Sequence, residues 1–191
     1  MRVIAGCARR LNLVTPKGND TRPTSDKIKE TLFNILAPEL FDVSFLDIFA
    51  GSGAIGIEAL SRGAKNCTFI EKDKAALACI RKNLETTHFT EVSEVCSQDA
   101  IAALYNLGPK RHYDIVFMDP PYNLGLERSV LSHLAGSAII DEDSLIIVEA
   151  DINTDMSYAP DLGFDIIRVK NYKNNKHVFL RRQDRKKEEV S

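Results

Sequence analysis

A chain of 191 residues, 44% hydrophobic and 27% charged, is long enough for one domain with a full core and short for two. No apolar run approaches the roughly 18 residues of a membrane span, and Met1-Arg2-Val3-Ile4-Ala5-Gly6 is too short an apolar stretch for a signal peptide, so neither a membrane span nor a signal peptide is expected, and the cysteine usage suggests a reducing cytoplasm. The net charge of −2 combines two basic ends, seven Lys/Arg against three acids over residues 1–30 and nine against three over 167–191, with an acidic centre of nine against twenty-one; this excludes a general nucleic-acid coat but leaves the ends able to hold a polyanion.

The β-prone runs 2–5 and 11–14, separated by Gly6 and Arg9-Arg10, predict a short N-terminal β-hairpin arm over residues 1–20. It gathers Arg2, Arg9, Arg10 and Lys17, with Arg22 just beyond, as a candidate grip on phosphates. Thr24 or Ser25 can cap a helix that has Asp26 in its first turn and Ile28, Leu32, Ile35 and Leu36 on one face. Pro38 ends it. The run 45–50 is a first core strand. It enters Gly51-Ser52-Gly53-Ala54-Ile55-Gly56, and a helix follows to Gly63. A G-x-G-x-x-G between a strand and a helix lets the backbone turn tightly and approach a ligand. The next strand, 66–70, ends at Glu71, where an acid can accept from both hydroxyls of a ribose. Together these features point to a nucleoside-containing cofactor.

Residues 74–85 predict an amphipathic helix, and 92–97 a strand ending at Gln98-Asp99-Ala100. Asp99 thus lies at a further strand end, with a helix starting at 101. The strand 114–118 runs into Asp119-Pro120-Pro121-Tyr122. Two prolines cannot continue a central strand, so an acid, two rigid residues and a phenol are presented at its carboxyl end, where open α/β sheets bind ligands. A helix over 126–134, an apolar strand over 145–149 and a closing pair, 163–170 and 176–180 around the turn 171–175, complete the chain. The expected architecture is one α/β domain over residues 1–183, doubly wound, with a Rossmann-like core over 21–183 and a disordered tail over 184–191. Of the four cysteines, Cys7, Cys67, Cys79 and Cys96, three sit among apolar neighbours and read as buried free thiols, with no metal site.

The glycine motif alone fits a nicotinamide cofactor or S-adenosylmethionine. Asp47, a carboxylate inside the first strand, suits an ammonium group or orders the loop, whereas a pyrophosphate would require positive charge or bare N–H groups there. Asp119-Pro120-Pro121-Tyr122 resembles the corner of enzymes that methylate an exocyclic amine of a base, a poor nucleophile because its lone pair is delocalised. Asp119 and the Pro120 carbonyl can each accept one of its N–H groups and turn the lone pair toward a methyl donor. Pro121 stiffens the corner, and Tyr122 can stack on an extruded base.

The series Asp47, Gly51-Ser52-Gly53, Glu71, Asp99 and Asp119-Pro120-Pro121-Tyr122 resembles the class I S-adenosylmethionine-dependent methyltransferases that act on exocyclic amines. The runs Met1–Gly6, Arg9-Arg10-Leu11, Thr21-Arg22-Pro23-Thr24-Ser25-Asp26 and Glu30-Thr31-Leu32-Phe33-Asn34 resemble the RsmD family of bacterial small-subunit rRNA guanine-N2 methyltransferases. The resemblance implies a seven-stranded, mostly parallel Rossmann-like sheet with helices on both faces. It implies methyl transfer to the N2 amine of guanine 966 of 16S rRNA, in an assembled or assembling 30S subunit, by a monomer that needs no metal and leaves S-adenosylhomocysteine. It assigns to RNA the phosphates that the basic arm would grip. It also implies that Asp47 and the loop Gly51-Ser52-Gly53 lie by the methionine part of the cofactor, with Phe49, Ala50 and Gly56 also in the cofactor site. Glu71 with Lys72 would hold the ribose, and Asp99 with the Ala100 N–H the adenine. The rival readings are an adenine-N6 methyltransferase of DNA or RNA, a nicotinamide-dependent oxidoreductase, in which Asp47 and the Asp-Pro-Pro-Tyr run have no task, and a binding module that has lost activity.

Overall fold

The apolar runs read as strands pair into one sheet in the computed structural model, which describes residues 1–16 and 26–184. Lys17, Arg22, the helix-opening residues 21–25 and the tail from 185 lie outside the described residues. The strands are β1 (Ser44–Ile48), β2 (Asn66–Glu71), β3 (Ser93–Ser97), β4 (Ile115–Met118), β5 (Leu145–Asp151), β6 (Phe164–Asn171) and β7 (Asn175–Arg182). Their order is β3-β2-β1-β4-β5-β7-β6. β3 through β5 are parallel, and β7 is antiparallel to both of its neighbours. This is the mostly parallel seven-stranded sheet expected, and the reversal of order between β1 and β4 opens a crevice at the carboxyl ends of the strands.

Alternation along each strand sorts the core. Phe45, Phe69, Phe117, Ile147 and Phe179 pack with helices α1 (Asp26–Leu36), α2 (Ala54–Ser61) and α3 (Lys74–Thr87). Leu46, Ile48, Val116, Met118, Ile146 and Val148 pack with α4 (Ala100–Asn106) and α5 (Leu126–Ala135) on the other face. Strands buried on both faces need no polar side, which is why β4 and β5 read as continuous apolar runs. By the same alternation Asp47, Glu71, Asp119 and Glu149 fall on the face covered by α1 to α3.

The N-terminal arm corrects the expected hairpin. Among the described residues it contains a single antiparallel bridge, Arg2 to Asn12, supported by Val3 N donating to Leu11 O (3.0 Å) and Leu13 N to Met1 O (2.9 Å). The donors that would extend the pairing are used elsewhere. Ile4 N and Ala5 N bond the Glu58 carboxylate at 2.8 and 3.0 Å, and Cys7 N bonds Ser61 O at 2.9 Å. Gly6, at φ 83°, meets the Ser61 carbonyl so closely that a Cβ would lie 1.7 Å from that oxygen. The arm is therefore a strap over α2. Lys29, fully buried, ion-pairs Glu58 at 3.1 Å and donates to Arg2 O at 2.7 Å, and Arg62 Nε reaches Glu58 at 2.8 Å. The buried charges are thus paired and hydrogen-bonded. The cysteines also depart from expectation. Cys67 alone is buried, Cys7 is exposed, and Cys79 and Cys96 are half-buried on outer elements that keep one side in solvent; all four are free thiols.

Candidate active site

The turn after β1 is built from left-handed backbone. Phe49 (φ 62°), Gly51 (φ 53°) and Gly53 (φ 76°) alternate with ordinary residues. Such a conformation costs little at glycine but strains Phe49. Hydrogen bonds hold it: Ala50 N to Ile70 O (3.0 Å), Gly53 N to Ala50 O (2.7 Å) and Gly51 N to Glu71 Oε2 (2.9 Å). A Cβ at Gly51 would meet nothing within 4 Å, so the space above the turn is open to a ligand. At Gly56 a Cβ would lie 2.4 Å from Phe69 Cε1 and 2.6 Å from Cys67 Sγ; that glycine lets α2 lie directly on β2.

Four carboxyl groups surround the turn. Asp47, 1% exposed, accepts from Gly56 N at 2.9 Å, which fastens the start of α2 to β1. Burial pushes its pKa up to about 7, with the Gly56 hydrogen bond opposing and Glu71 adding to the rise. Glu71 is fixed at the end of β2, its second oxygen accepting from Lys72 N (2.7 Å) and Asp73 N (2.8 Å). Asp99 caps α4 by accepting from Ile101 N at 3.1 Å and pairs with Lys72 Nζ at 3.3 Å. Ala100 opens that helix, and its N–H is one of the first-turn donors with no partner inside the helix.

Asp119 lies at the end of β4, its N–H bonding Ile48 O at 3.4 Å, and this stitches the Asp-Pro-Pro-Tyr corner to the strand that carries Asp47. Pro120 is buried; Pro121 and Tyr122 are exposed. Burial holds the Asp119 carboxyl well above the usual range, and the carboxylates of Glu149 and Asp47 add to the shift. The predicted residues Asp47, Asp119, Glu71 and the glycine turn are thus brought together at the strand ends.

The sequence reading did not single out Glu149, although it marked that residue as the end of the fifth apolar strand, the position held by Glu71 in β2. Register pairs Met118 with Val148, so Asp119 and Glu149 are neighbours across β4 and β5. Glu149 is 4% exposed and accepts from Asn175 Nδ2 at 2.5 Å and the Tyr122 hydroxyl at 3.5 Å. His177 Nε2 lies 3.1 Å from it. The basic residues assigned to RNA are less gathered. Arg9 and Arg10 are exposed on the strap beside Ser61, the end of α2 away from the glycine turn, and eight helical residues span about 12 Å. Arg2 is also exposed but pairs with Asp26 at 3.0 Å.

The sheet order, with an acid-rimmed glycine turn at the switch point, defines a Rossmann-like class I methyltransferase. The solved structure of yhhF from Escherichia coli superposes with a TM-score of 0.82 at 34% identity, covering 97% of this chain and 99% of that one. A family model described as conserved hypothetical protein 95 matches residues 1–181. The chain is 40% identical over 152 residues to ribosomal RNA small subunit methyltransferase D of Haemophilus influenzae, covering 79% of each. It is 38% identical over 160 residues to the protein of the same name from E. coli, covering 84% of this chain and 79% of that one. The chain belongs to this family, which carries the RsmD resemblance of the sequence.

Proposed function

We propose that this chain transfers a methyl group from S-adenosylmethionine to the N2 amine of a guanine in 16S rRNA. The observation that carries the reading is the rigid Asp119-Pro120-Pro121-Tyr122 corner, bonded through Asp119 N to Ile48 O, the residue from which β1 enters the open glycine turn. The named activity of the curated relatives supports the substrate class. The acid row fits the donor: a cation beside Asp47 and Asp119 would offset the burial that holds both carboxyls above their ordinary range, and Gly51 leaves room above the turn. When bound, the donor supplies an electrophilic methyl on a sulfonium. Glu71 with Lys72 takes the ribose hydroxyls, Asp99 and Ala100 N–H take the adenine, and Asp47 keeps α2 and the turn in place.

Asp119 and the Pro120 carbonyl each accept one N–H of the guanine amine, which frees its lone pair for in-line attack. With the donor bound, Asp119 would accept the proton that the nitrogen loses on gaining the methyl, with a neutral thioether as the leaving group. Tyr122, half in solvent, offers a face for the extruded base, a stack worth about 1–3 kcal/mol. Alignment contributes the larger share, up to about 7–11 kcal/mol in well-oriented reactions. Methyl-labelled S-adenosylmethionine offered with small subunits, naked rRNA and duplex DNA tests this reading, with label expected on rRNA guanine. Asp119→Ala should lower turnover by about 100-fold or more with little change in cofactor affinity. Equal labelling of DNA, or of adenine, overturns the substrate assignment; a normal Asp119→Ala rate overturns the site.

A further inference from the structure

The C-terminal hairpin reaches into the site. β6 and β7 are remote in sequence from the glycine turn, yet the hairpin they form delivers two side chains to one buried carboxylate and a third behind them. Asn175 donates to Glu149 Oε1, and His177 Nε2 lies 3.1 Å from Glu149 Oε2. The Tyr172 hydroxyl is 3.1 Å from His177 Nδ1. One assignment satisfies all of them: the Tyr172 hydroxyl donates to Nδ1, and the Nε2–H donates to Glu149. His177 is fully buried, with Phe117, Tyr172 and Phe179 edge-on around its ring, so it cannot swing away without opening a cavity. The turn of the hairpin is itself tied down by Ile152 N to Asn174 O (3.1 Å) and Lys176 Nζ to Thr154 O (2.6 Å). The Tyr122 hydroxyl also approaches Glu149, at 3.5 Å, and shares Asn175 with it.

We propose that Glu149 is a positioning residue for methyl transfer, clamped by the hairpin through His177 and Asn175 so that it holds the Tyr122 ring in place for the target base and sets the charge facing Asp119. The inference rests on the methyltransfer reading. A buried carboxylate with three donors from two directions is stiff, and a side chain anchored to it inherits that stiffness. Four titratable or charged groups face Glu149: Asp119 at the end of β4, Tyr122 in the corner, and His177 and Tyr172 on the hairpin; Asp47 on β1 flanks Asp119 from its other side. Like charges at this range favour the neutral form of whichever group is left partly desolvated.

Two substitutions separate the roles. Glu149→Gln keeps a carbonyl for Asn175 and Tyr122, and an amide that can donate to His177 in its other tautomer, but removes the charge. The expected result is a KM for RNA within about twofold of wild type and an acid limb of the kcat profile moved down by about one pH unit, because Asp119 then ionises more easily. Glu149→Ala removes the anchor as well. KM for RNA should rise and kcat fall, roughly 10–100-fold in kcat/KM for one lost hydrogen bond to a charged group, with S-adenosylhomocysteine affinity by calorimetry within about twofold of wild type. A Glu149→Gln enzyme with an unmoved acid limb, or a Glu149→Ala enzyme that only melts earlier while its kcat and KM stay normal, overturns the proposal. Failure of the wild-type chain to methylate RNA is a separate outcome and sinks the function instead.

Discussion

Asp47 is the residue where charge and fold are most tightly opposed. Its carboxyl is buried and its folded pKa, about 7, lies above the ordinary value of 3.8. A raised carboxyl favours the protonated fold, so its contribution to stability is fully present below about pH 4 and is lost as pH rises through 7. Asp119, shifted in the same direction, adds to this trend. Asp47→Asn keeps an acceptor for Gly56 N and has no charge to bury. Its melting temperature relative to wild type should therefore rise between pH 4 and pH 8, by the equivalent of up to a few kcal/mol at about 1.36 kcal/mol per pKa unit. A pH-independent gap would mean the carboxyl ionises freely in the fold. Asp99 was legible in the sequence as an acid beyond an alternating strand, Asp47 as an acid interrupting an apolar run, and Glu71 and Asp119 as acids that close such runs. Glu149 closed such a run too, but its importance depends on Asn175 and His177, whose approach across β5 and β7 has no local signature. Glu58 was legible in a weaker sense: an acid inside a helix buried along its whole length must have a partner, yet nothing local names Lys29.

At the scale of elements, periodicity located the helices and strands to within a residue or two, since amphipathic spacing and apolar runs are local consequences of packing. The N-terminal arm was misjudged for a tertiary reason. Its β-prone residues spend their N–H groups on Glu58 and Ser61 of α2, and strand pairing stops at one bridge. The junction of α2 with β2 follows from Gly56. Gly56→Ala would drive a methyl into Phe69 and Cys67 Sγ, neither of which has room to retreat inside a packed core. The helix start must then lift, taking with it the Asp47 hydrogen bond that anchors the turn. We expect a loss of about 1–3 kcal/mol, read as a lower urea midpoint at unchanged slope, together with weaker S-adenosylhomocysteine binding. An unchanged midpoint would show that α2 does not lie on β2 as closely as described.

Across the whole molecule charge is uneven, with acids gathered around the glycine turn and a sequence basic at both ends; the proposed function gives the first to a cationic donor and the second to a polyanion. The strap links the two. Val14 N donates to Asn83 Oδ1 at 2.8 Å, and Asn83 Nδ2 bonds both Val14 O and Ser52 O at 2.9 Å, so the chain that begins beside Ser61 passes to the back of the glycine turn. Arg9 and Arg10 lie at its far end, exposed and about 12 Å away along α2. A guanine presented on a large folded RNA brings phosphates across that distance, whereas an isolated nucleoside cannot. Arg9→Ala combined with Arg10→Ala should therefore weaken binding of rRNA or small subunits and leave S-adenosylhomocysteine affinity unchanged. Each lost phosphate contact reduces the slope of log K against log salt by about 0.7–0.9, so the double variant should flatten it by about 1.4–1.8. Turnover at saturating RNA should be preserved, since neither residue approaches Asp119. If the slope is unaltered, the strap serves packing through Val3, Ala8 and Leu13 alone, and the RNA must be gripped along another face.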